Sequence, residues 1–356
     1  MGVDMKSEDI ARLAGVSRST VSRVINNYPN VPEETRAKVL KIIEEYNYEP
    51  NTSARILAGK SNNTIGLFVI SISENDGPSK IYQSTYYSTF INTVVDVANT
   101  VGYYVLVHTI YSNKDYTKIS QSFLQKRISG GILVGNEKDL DTIKNITKMG
   151  YPIGIVDYDV GEIEKNKLNN SGLIVVNSSD FEGTVQALNH LIKLGHRDIG
   201  IITGRMGTYS GKERYRAYEY TLKENGIDIK PEFILRGEFL KKKTYNEVKK
   251  LINSKKLPTA LFACNDDMAI AAMEVFMNEG IRVPEDISII GFDDVPMASH
   301  VKPALSTVNV PVHDMVTQVT EALINKIEQG TKTFSNFTYP VKFIDRDTCA
   351  IKRTSI

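Results

Sequence analysis

The chain has 356 residues, with 43 Lys plus Arg against 42 Asp plus Glu and a net charge of +1, so whole-chain charge neither requires nor excludes a nucleic-acid partner. Hydrophobic residues make up 41% and charged residues 24%, which excludes a disordered or low-complexity chain; at roughly 150 residues per domain, two or three domains are expected. The two cysteines, Cys264 and Cys349, exclude a disulfide framework and lack the paired spacing of a zinc site. No apolar run reaches the roughly 18 residues of a membrane span, and the first thirty residues are too polar for a secretory signal. The expectation is a cytoplasmic protein with no cofactor, no metal and no membrane partner.

The first sixty residues carry short helical patterns and no strand. Ser7, Glu8 and Asp9 open a first helix with a cap and two acids at its positive end, Ile10 and Leu13 form its apolar side, and Gly15 ends it. Ser17 is placed to cap a second helix running to about Asn26, with Val21 and Val24 inward and Arg18, Ser19, Ser22 and Arg23 outward. Ala11 is small where two helices would cross, and Ile10, Ala14, Val16, Val21 and Val24 fill the apolar slots of a DNA-binding helix-turn-helix. An ordinary α-hairpin is the competing reading. It gives no reason for Arg12, Arg18 and Arg23 to be the only charges from Ile10 to Pro32.

A third helix sets Val39, Ile42, Ile43 and Tyr46 on one side and turns its acids, Glu33, Glu34, Glu44, Glu45 and Glu49, away from DNA. Pro50 to Lys60 then allows an eight-residue helix with Asn51 as cap and Gly59 as stop. Two turns are unstable alone in water, so this segment reads as a hinge that becomes helical only against its twin and DNA. Leu57 would be its wedge in the minor groove; a plain linker is the alternative.

From Thr64 onward, β-branched runs alternate with helical patterns. The runs Ile65–Ile72, Tyr104–Ile110, Gly131–Val134, Ile153–Val156, Leu173–Val176, Ile199–Ile202, Ala260–Ala263 and Ile287–Ile290 predict buried parallel strands. Between them Val185, Leu188 and Ile192 share a helical face, as do Ala269, Ala272, Met273 and Phe276; Ser179 with Glu182 spells a capping box, and Gly195 and Gly280 end helices. This is a doubly wound α/β pattern. Its length and the polar break at Ile163 to Gly172 predict two subdomains with a cleft at the strand ends.

Polar clusters follow three of those ends: Asp157, then Asn265 with Asp266, then Asp293 with Asp294. Converging with Arg214 they would suit vicinal hydroxyls, since carboxylates accept while guanidinium donates. For Asp266 and Asp294, capping the following helix is the alternative. Paired carboxylates could also serve glycoside hydrolysis. No GxSxG elbow, GxxxxGK[ST] loop, zinc spacing or GxGxxG fingerprint accompanies them, so the chain is not expected to be an enzyme. A free-standing solute-binding protein is opposed by the attached helix-turn-helix.

The stretches Asp9-Ile10-Ala11-Arg12-Leu13-Ala14-Gly15-Val16-Ser17, Thr20-Val21-Ser22-Arg23-Val24-Ile25-Asn26, Tyr48-Glu49-Pro50-Asn51 and Leu57-Ala58 resemble the LacI/GalR family of bacterial transcription regulators. Leu194-Gly195-His196-Arg197, Asn265-Asp266-Asp267-Met268-Ala269 and Gly291-Phe292-Asp293-Asp294 extend the resemblance over essentially the whole chain. It implies an all-α helix-turn-helix domain (1–50), a hinge (51–60), and a periplasmic-binding-protein-like α/β sensor and dimerisation domain (61–356). The sensor would divide into an N-subdomain (61–170 plus 310–339) and a C-subdomain (171–309 plus 340–356).

The resemblance further implies a homodimer on a near-palindromic DNA operator. Arg18, Ser19 and Arg23 would read bases, Ser17, Thr20, Ser22 and Asn26 would hold phosphates, and Asn51, Ala54, Leu57 and Ala58 would serve the hinge. For a small effector it implies Asp157, Arg214, Asn265 and Asp293 as polar contacts, with Tyr86, Tyr87 and Phe239 as aromatic walls and Ser210 as an added hydroxyl. Asn265 stands where purine-sensing members carry glycine, which points to a sugar or sugar phosphate; a purine or a protein co-regulator is the alternative. Val310-Pro311-Val312 departs from the glutamine-containing stretch of many members, and Ser73 to Thr85 is longer than usual, so pocket size is left open.

Overall fold

The computed structural model describes residues 5–25, 28–48, 62–71, 84–135, 139–169 and 171–352, and the chain divides into one unit up to Asn62 and another from Asn63. In the first, α1 (Ser7–Ala14), α2 (Arg18–Ile25) and α3 (Glu33–Glu45) enclose Ile10, Ala14, Val21 and Val39, each fully buried. Gly15 takes the left-handed conformation (φ 64°) that lets the chain reverse between α1 and α2. Ser17 caps α2, its hydroxyl accepting from the Thr20 N–H at 3.1 Å.

Three local expectations shift. The cap of α1 is Lys6, whose N–H donates to Asp9 at 3.0 Å, so Ser7 belongs to the helix and its hydroxyl accepts from Arg18. Leu13 is exposed, because Ala11 and Ala14 complete the inward stripe begun by Ile10. Tyr46 is exposed too: it lies past the last turn of α3, and Tyr48 packs on the core instead.

The second unit holds twelve strands among its described residues, introduced here by sheet. The six-stranded sheet comprises β1 (Thr64–Ile70), β2 (Tyr104–Ile110), β3 (Gly130–Gly135), β4 (Ile153–Val156), β5 (Leu173–Ser178) and β11 (Ser335–Tyr339), all parallel in the order β11-β5-β4-β3-β1-β2. The four-stranded parallel sheet is β7-β6-β8-β9, from β6 (Ile199–Thr203), β7 (Ile234–Arg236), β8 (Ala260–Ala263) and β9 (Ser288–Ile290). A short antiparallel pair joins β10 (Thr307–Asn309) to β12 (Lys342–Ile344).

The helices between them are α4 (Thr85–Thr100), α5 (Tyr116–Leu124), α6 (Leu140–Lys148), α7 (Val160–Lys165), α8 (Asp180–Lys193), α9 (Tyr209–Glu224), α10 (Lys241–Asn253), α11 (Asp266–Asn278) and α12 (Val312–Gln329). Among the described residues none is long and apolar enough to cross a membrane. The α11 face of Ala269, Ala272, Met273 and Phe276 is buried, and Gly195 and Gly280 end their helices at φ 90° and 75°.

Two expectations are corrected here. β5 was expected to open the second subdomain at about residue 171, but it pairs with β4 and β11 in the first sheet. The described residues of the polar stretch Ile163 to Gly172 are the end of α7 and turn residues on the way to β5 in the same layer, and the chain leaves that layer only after Ser178. Nor does Ser179 cap α8 through its hydroxyl. Ser178 donates instead to Asp180 at 2.9 Å and helps orient that carboxylate.

Because both sheets are parallel, their carboxyl ends gather the residues that follow β1, β4, β5, β6, β7, β8 and β9. Ser71, Asp157, Asp180, Arg205, Phe239, Asn265 and Asp293 occupy those positions, and all seven line one pocket.

Candidate functional site

A pocket of about 140 Å³ lies between the strand ends of the two sheets. Tyr86, Tyr87, Asp157, Ser210, Arg214, Phe239, Asn265 and Asp293 all line it. Asp180, Arg205 and Glu238 line it as well and were not anticipated. Asp180 and Arg205 follow strands as Asp157 does, and that position after a strand is the sequence signal that points to them.

Arg214 organises the floor. Its Nε donates to Asp180 at 2.6 Å, its Nη1 donates to the Cys264 carbonyl and approaches Asp293 at 3.5 Å, and its plane lies 3.7 Å from the Phe292 ring centroid. Burial opposes its charge, but Asp180 and Asp293 outweigh that effect and raise its pKa. Nη2 has no acceptor among the described residues and is left to donate toward the pocket. Burial pushes the Asp293 carboxyl up to about 7, with Asp180 and Asp267 adding to the rise and Arg214 opposing it.

Asp157 spans the two layers. One carboxylate oxygen accepts the Ser210 N–H at 2.6 Å and the other accepts the Ser210 hydroxyl at 3.0 Å, so a residue of the first layer caps the start of α9 in the second. Asp157, Phe239 and Asp293 sit at φ 63°, 60° and 113°, left-handed values uncommon for such side chains and concentrated at this pocket. The Phe239 ring seats against Gly204, where any Cβ would come within 2.2 Å of it. Tyr86 and Tyr87 meet edge to face at 5.5 Å, and burial raises both hydroxyls far enough that they stay protonated donors.

Asn265 caps α11, its Oδ1 accepting the Met268 N–H at 2.9 Å, which leaves its amide N–H groups to face the pocket. Its neighbour Asp266 neither caps nor lines. Fully buried, it accepts from the Thr307 hydroxyl at 2.5 Å and the Val295 N–H at 2.8 Å and ties β10 and the loop after β9 to α11. Asp294 likewise turns away, to Arg346 at 2.7 Å and Asn309 at 3.0 Å. Val310 contributes apolar wall, and Cys264 and Cys349 are free thiols, each pushed up to about 12 by burial.

In the helical unit Ser17, Arg18, Ser19, Ser22 and Arg23 are exposed and Thr20 is half-buried, so α2 presents one polar, basic face. That face is not free of carboxylates. Glu8 reaches Arg18 at 3.2 Å, because the start of α1 lies beside α2, while Asp9 pairs with Arg12 at 2.8 Å within α1 itself. Asn26, Asn51, Ala54, Leu57 and Ala58 lie outside the described residues, as do residues 73–83.

Comparison with known proteins fits both halves. Residues 7–51 match the family described as bacterial regulatory proteins, lacI family, and residues 188–349 match the periplasmic binding protein-like domain. A probable HTH-type transcriptional repressor, ExuR of Bacillus subtilis (strain 168), is 33% identical over 344 residues, covering 96% of this chain and 97% of that protein. The chain belongs to the LacI family. HTH-type transcriptional repressor PurR of Haemophilus influenzae (strain ATCC 51907 / DSM 11121 / KW20 / Rd) is 30% identical over 95% of this LacI-family chain and 97% of its own length. Among solved structures, the lac repressor dimer bound to operator and the anti-inducer ONPF aligns with TM-score 0.79 at 26% identity, over 97% of this chain and 99% of that one. The transcriptional regulator CelR–cellobiose complex aligns with TM-score 0.72, at the same identity and coverages. This LacI-family member is a DNA-binding transcriptional repressor and not an enzyme.

Proposed function

We propose that a saccharide bound in the pocket between the two layers sets the operator affinity of this repressor. The observation that carries the reading is Arg214, whose Nε and Nη1 are taken up by Asp180, a backbone carbonyl and Asp293 while its Nη2 has no acceptor among the described residues, on a side chain that lines the pocket. With the Asn265 amide as a second donor, Asp157 and Asp293 as acceptors and three aromatic walls, the pocket matches a ring with hydroxyl edges and C–H faces. Among the described residues four carboxylates, Asp157, Asp180, Glu238 and Asp293, face two arginines there, which favours an uncharged sugar over a sugar phosphate.

Residues 1–50 are the DNA-binding domain, 51–60 the hinge, and the remainder the sensor and dimerisation part of a cytoplasmic homodimer on a near-palindromic operator. The sensor halves meet after residue 178 rather than 170, which puts β5 in the first. In the DNA-bound state Arg18, Ser19 and Arg23 read bases, with Ser17, Thr20, Ser22 and Asn26 on phosphates; Asn51, Ala54, Leu57 and Ala58 serve the hinge, and Leu57 is its wedge. Ligand bridging Asp157 and Arg214 stabilises one closure angle of the sensor, and a coupling of about 1 to 3 kcal/mol changes operator affinity several-fold to over a hundred-fold.

Deleting residues 1–60 tests the division of labour. The truncated protein is expected to lose DNA binding and keep its saccharide response, because the second unit has its own core. At a hundredfold excess over Kd the ligand adds about 2.7 kcal/mol, visible in a melting curve. A truncated protein that still shifts DNA overturns the assignment. A pH series tests the pocket chemistry: a hydroxyl donates to the Asp293 carboxylate and not to its protonated oxygen, so saccharide affinity rises as pH passes about 7. Asp293→Asn removes that step; a wild-type profile with no step contradicts the contact.

A further inference from the structure

Beside the inner pocket, beyond Asp157, lies a second, roomier groove of about 640 Å³. Asp157 and Thr208 line both, so the two spaces are neighbours across a shared wall. The groove is built from the turn before α5, the starts of α6 and α7, and the start of α9. Three half-buried tyrosines, Tyr116, Tyr158 and Tyr209, stand among Asp159, Glu162 and Asn113.

Its helix starts already hold anions of the protein itself. Asp139 accepts the Thr142 N–H at 2.9 Å, Asp159 accepts the Gly161 N–H at 2.9 Å, and Asp157 occupies the start of α9. Among the described residues four carboxylates line the groove against one cation, Lys212, so a phosphate or carboxylate ligand meets net repulsion there. The phenols stay protonated: burial raises Tyr158 to about 12, aided by Glu162, Asp159 and Asp139, and burial raises Tyr209 to about 12, aided by Glu213 and Asp159. Flat aromatic faces, neutral donors and surplus acceptors, next to a pocket read as a saccharide site, fit the chemistry of a second sugar ring.

We propose that the groove is a second sugar subsite and that the effector is an uncharged glycoside of at least two units, one ring in the inner pocket and the next against Tyr158 and Tyr209. This rests on the saccharide reading of the inner pocket, and the test separates the two. The full chain is titrated calorimetrically with cellobiose, maltose, lactose and melibiose, with glucose and galactose, and with glucose 6-phosphate and galacturonate as anions.

One disaccharide is expected to bind at least tenfold more tightly than either of its hexoses, and both anions more weakly than the hexoses. Tyr158→Ala with Tyr209→Ala should erase the tenfold preference while leaving hexose affinity in place, whereas Arg214→Ala should remove binding of both. Should the double aromatic variant fail to fold, Asn113→Ala with Glu162→Gln, changes on the groove's solvent side, should reduce the preference at least threefold. Equal affinity for hexose and disaccharide, or a preference untouched by the groove variants, overturns the subsite while the saccharide reading stands. Tightest binding by an anion overturns the charge argument, and no binding by any sugar overturns both.

Discussion

Replacing Arg214 by alanine is expected to destabilise the protein by about 3–5 kcal/mol, because it strands two buried carboxylates that the guanidinium now compensates. Asp180 and Asp293 lie 2.6 and 3.5 Å from it, with side-chain exposures of 3% and 11%. The loss should depend on pH with a definite sign. Both carboxyls are raised above their usual range by burial, Asp293 to about 7 from an ordinary 3.8, and removing Arg214 takes away the pull that opposes the rise. Between pH 3.8 and about 7 the folded state therefore holds protons the unfolded state has released, so stability falls as pH climbs through that window, more steeply in the variant. Urea denaturation of both proteins at pH 5.5 and 7.5 measures it. A variant equally destabilised at both values would contradict the assignment of the penalty to stranded carboxylates.

The second large effect lies in the helical unit. Arg18→Ala should weaken operator binding by about 1–3 kcal/mol while changing affinity for a scrambled duplex much less, since a guanidinium paired with a guanine edge discriminates and a phosphate contact does not. The free protein holds Arg18 against Glu8 at 3.2 Å and Ser7 at 3.1 Å, so reading a base requires leaving both. The ion pair is roughly two-thirds exposed on each side and worth at most about 1 kcal/mol. Glu8→Gln should accordingly raise operator affinity up to about fivefold at low salt, with the gain fading as salt screens the pair. Equal losses on operator and scrambled DNA in Arg18→Ala would reduce that residue to a backbone contact.

The sequence was most readable where burial is local and continuous. Ile153–Val156 and Ala260–Ala263 coincide with β4 and β8 residue for residue, because each is a fully buried apolar run; Tyr104–Ile110 coincides with β2 in its bounds but not in its expected burial, since that edge strand is buried only at Ile110. β7, β10 and β12 have three residues each, too few to display a period, and they exist through the partners that pair with them. β5 shows the same limit at longer range. Nothing inside Leu173–Val176 tells which sheet it joins; its neighbour β11 lies more than 150 residues away in the chain. Leu13 looked inward because apolar character alone does not say which side of a two-turn helix meets its partner.

The inner pocket was legible in outline, since chemistry placed after strands converges in a parallel sheet, and the eight expected residues do share one pocket. Arg205, Glu238 and Asp180 escaped notice because each reads locally as a loop charge or a cap. The outer groove was invisible for a different reason: four separate segments supply it, and its three tyrosines are unexceptional among the chain's 18 until the fold brings them together.

The central claim is that one chain reads DNA and that its pocket sets how tightly. Its most direct test is fluorescence-anisotropy titration of a duplex selected by the full chain from a random-sequence pool, with and without the saccharide that raises its melting temperature. The account predicts at least a fivefold change in affinity for the selected duplex in the wild type and none in Arg214→Ala. A selected duplex bound no more tightly than its scrambled counterpart, or an affinity indifferent to a saccharide that demonstrably binds, would contradict it.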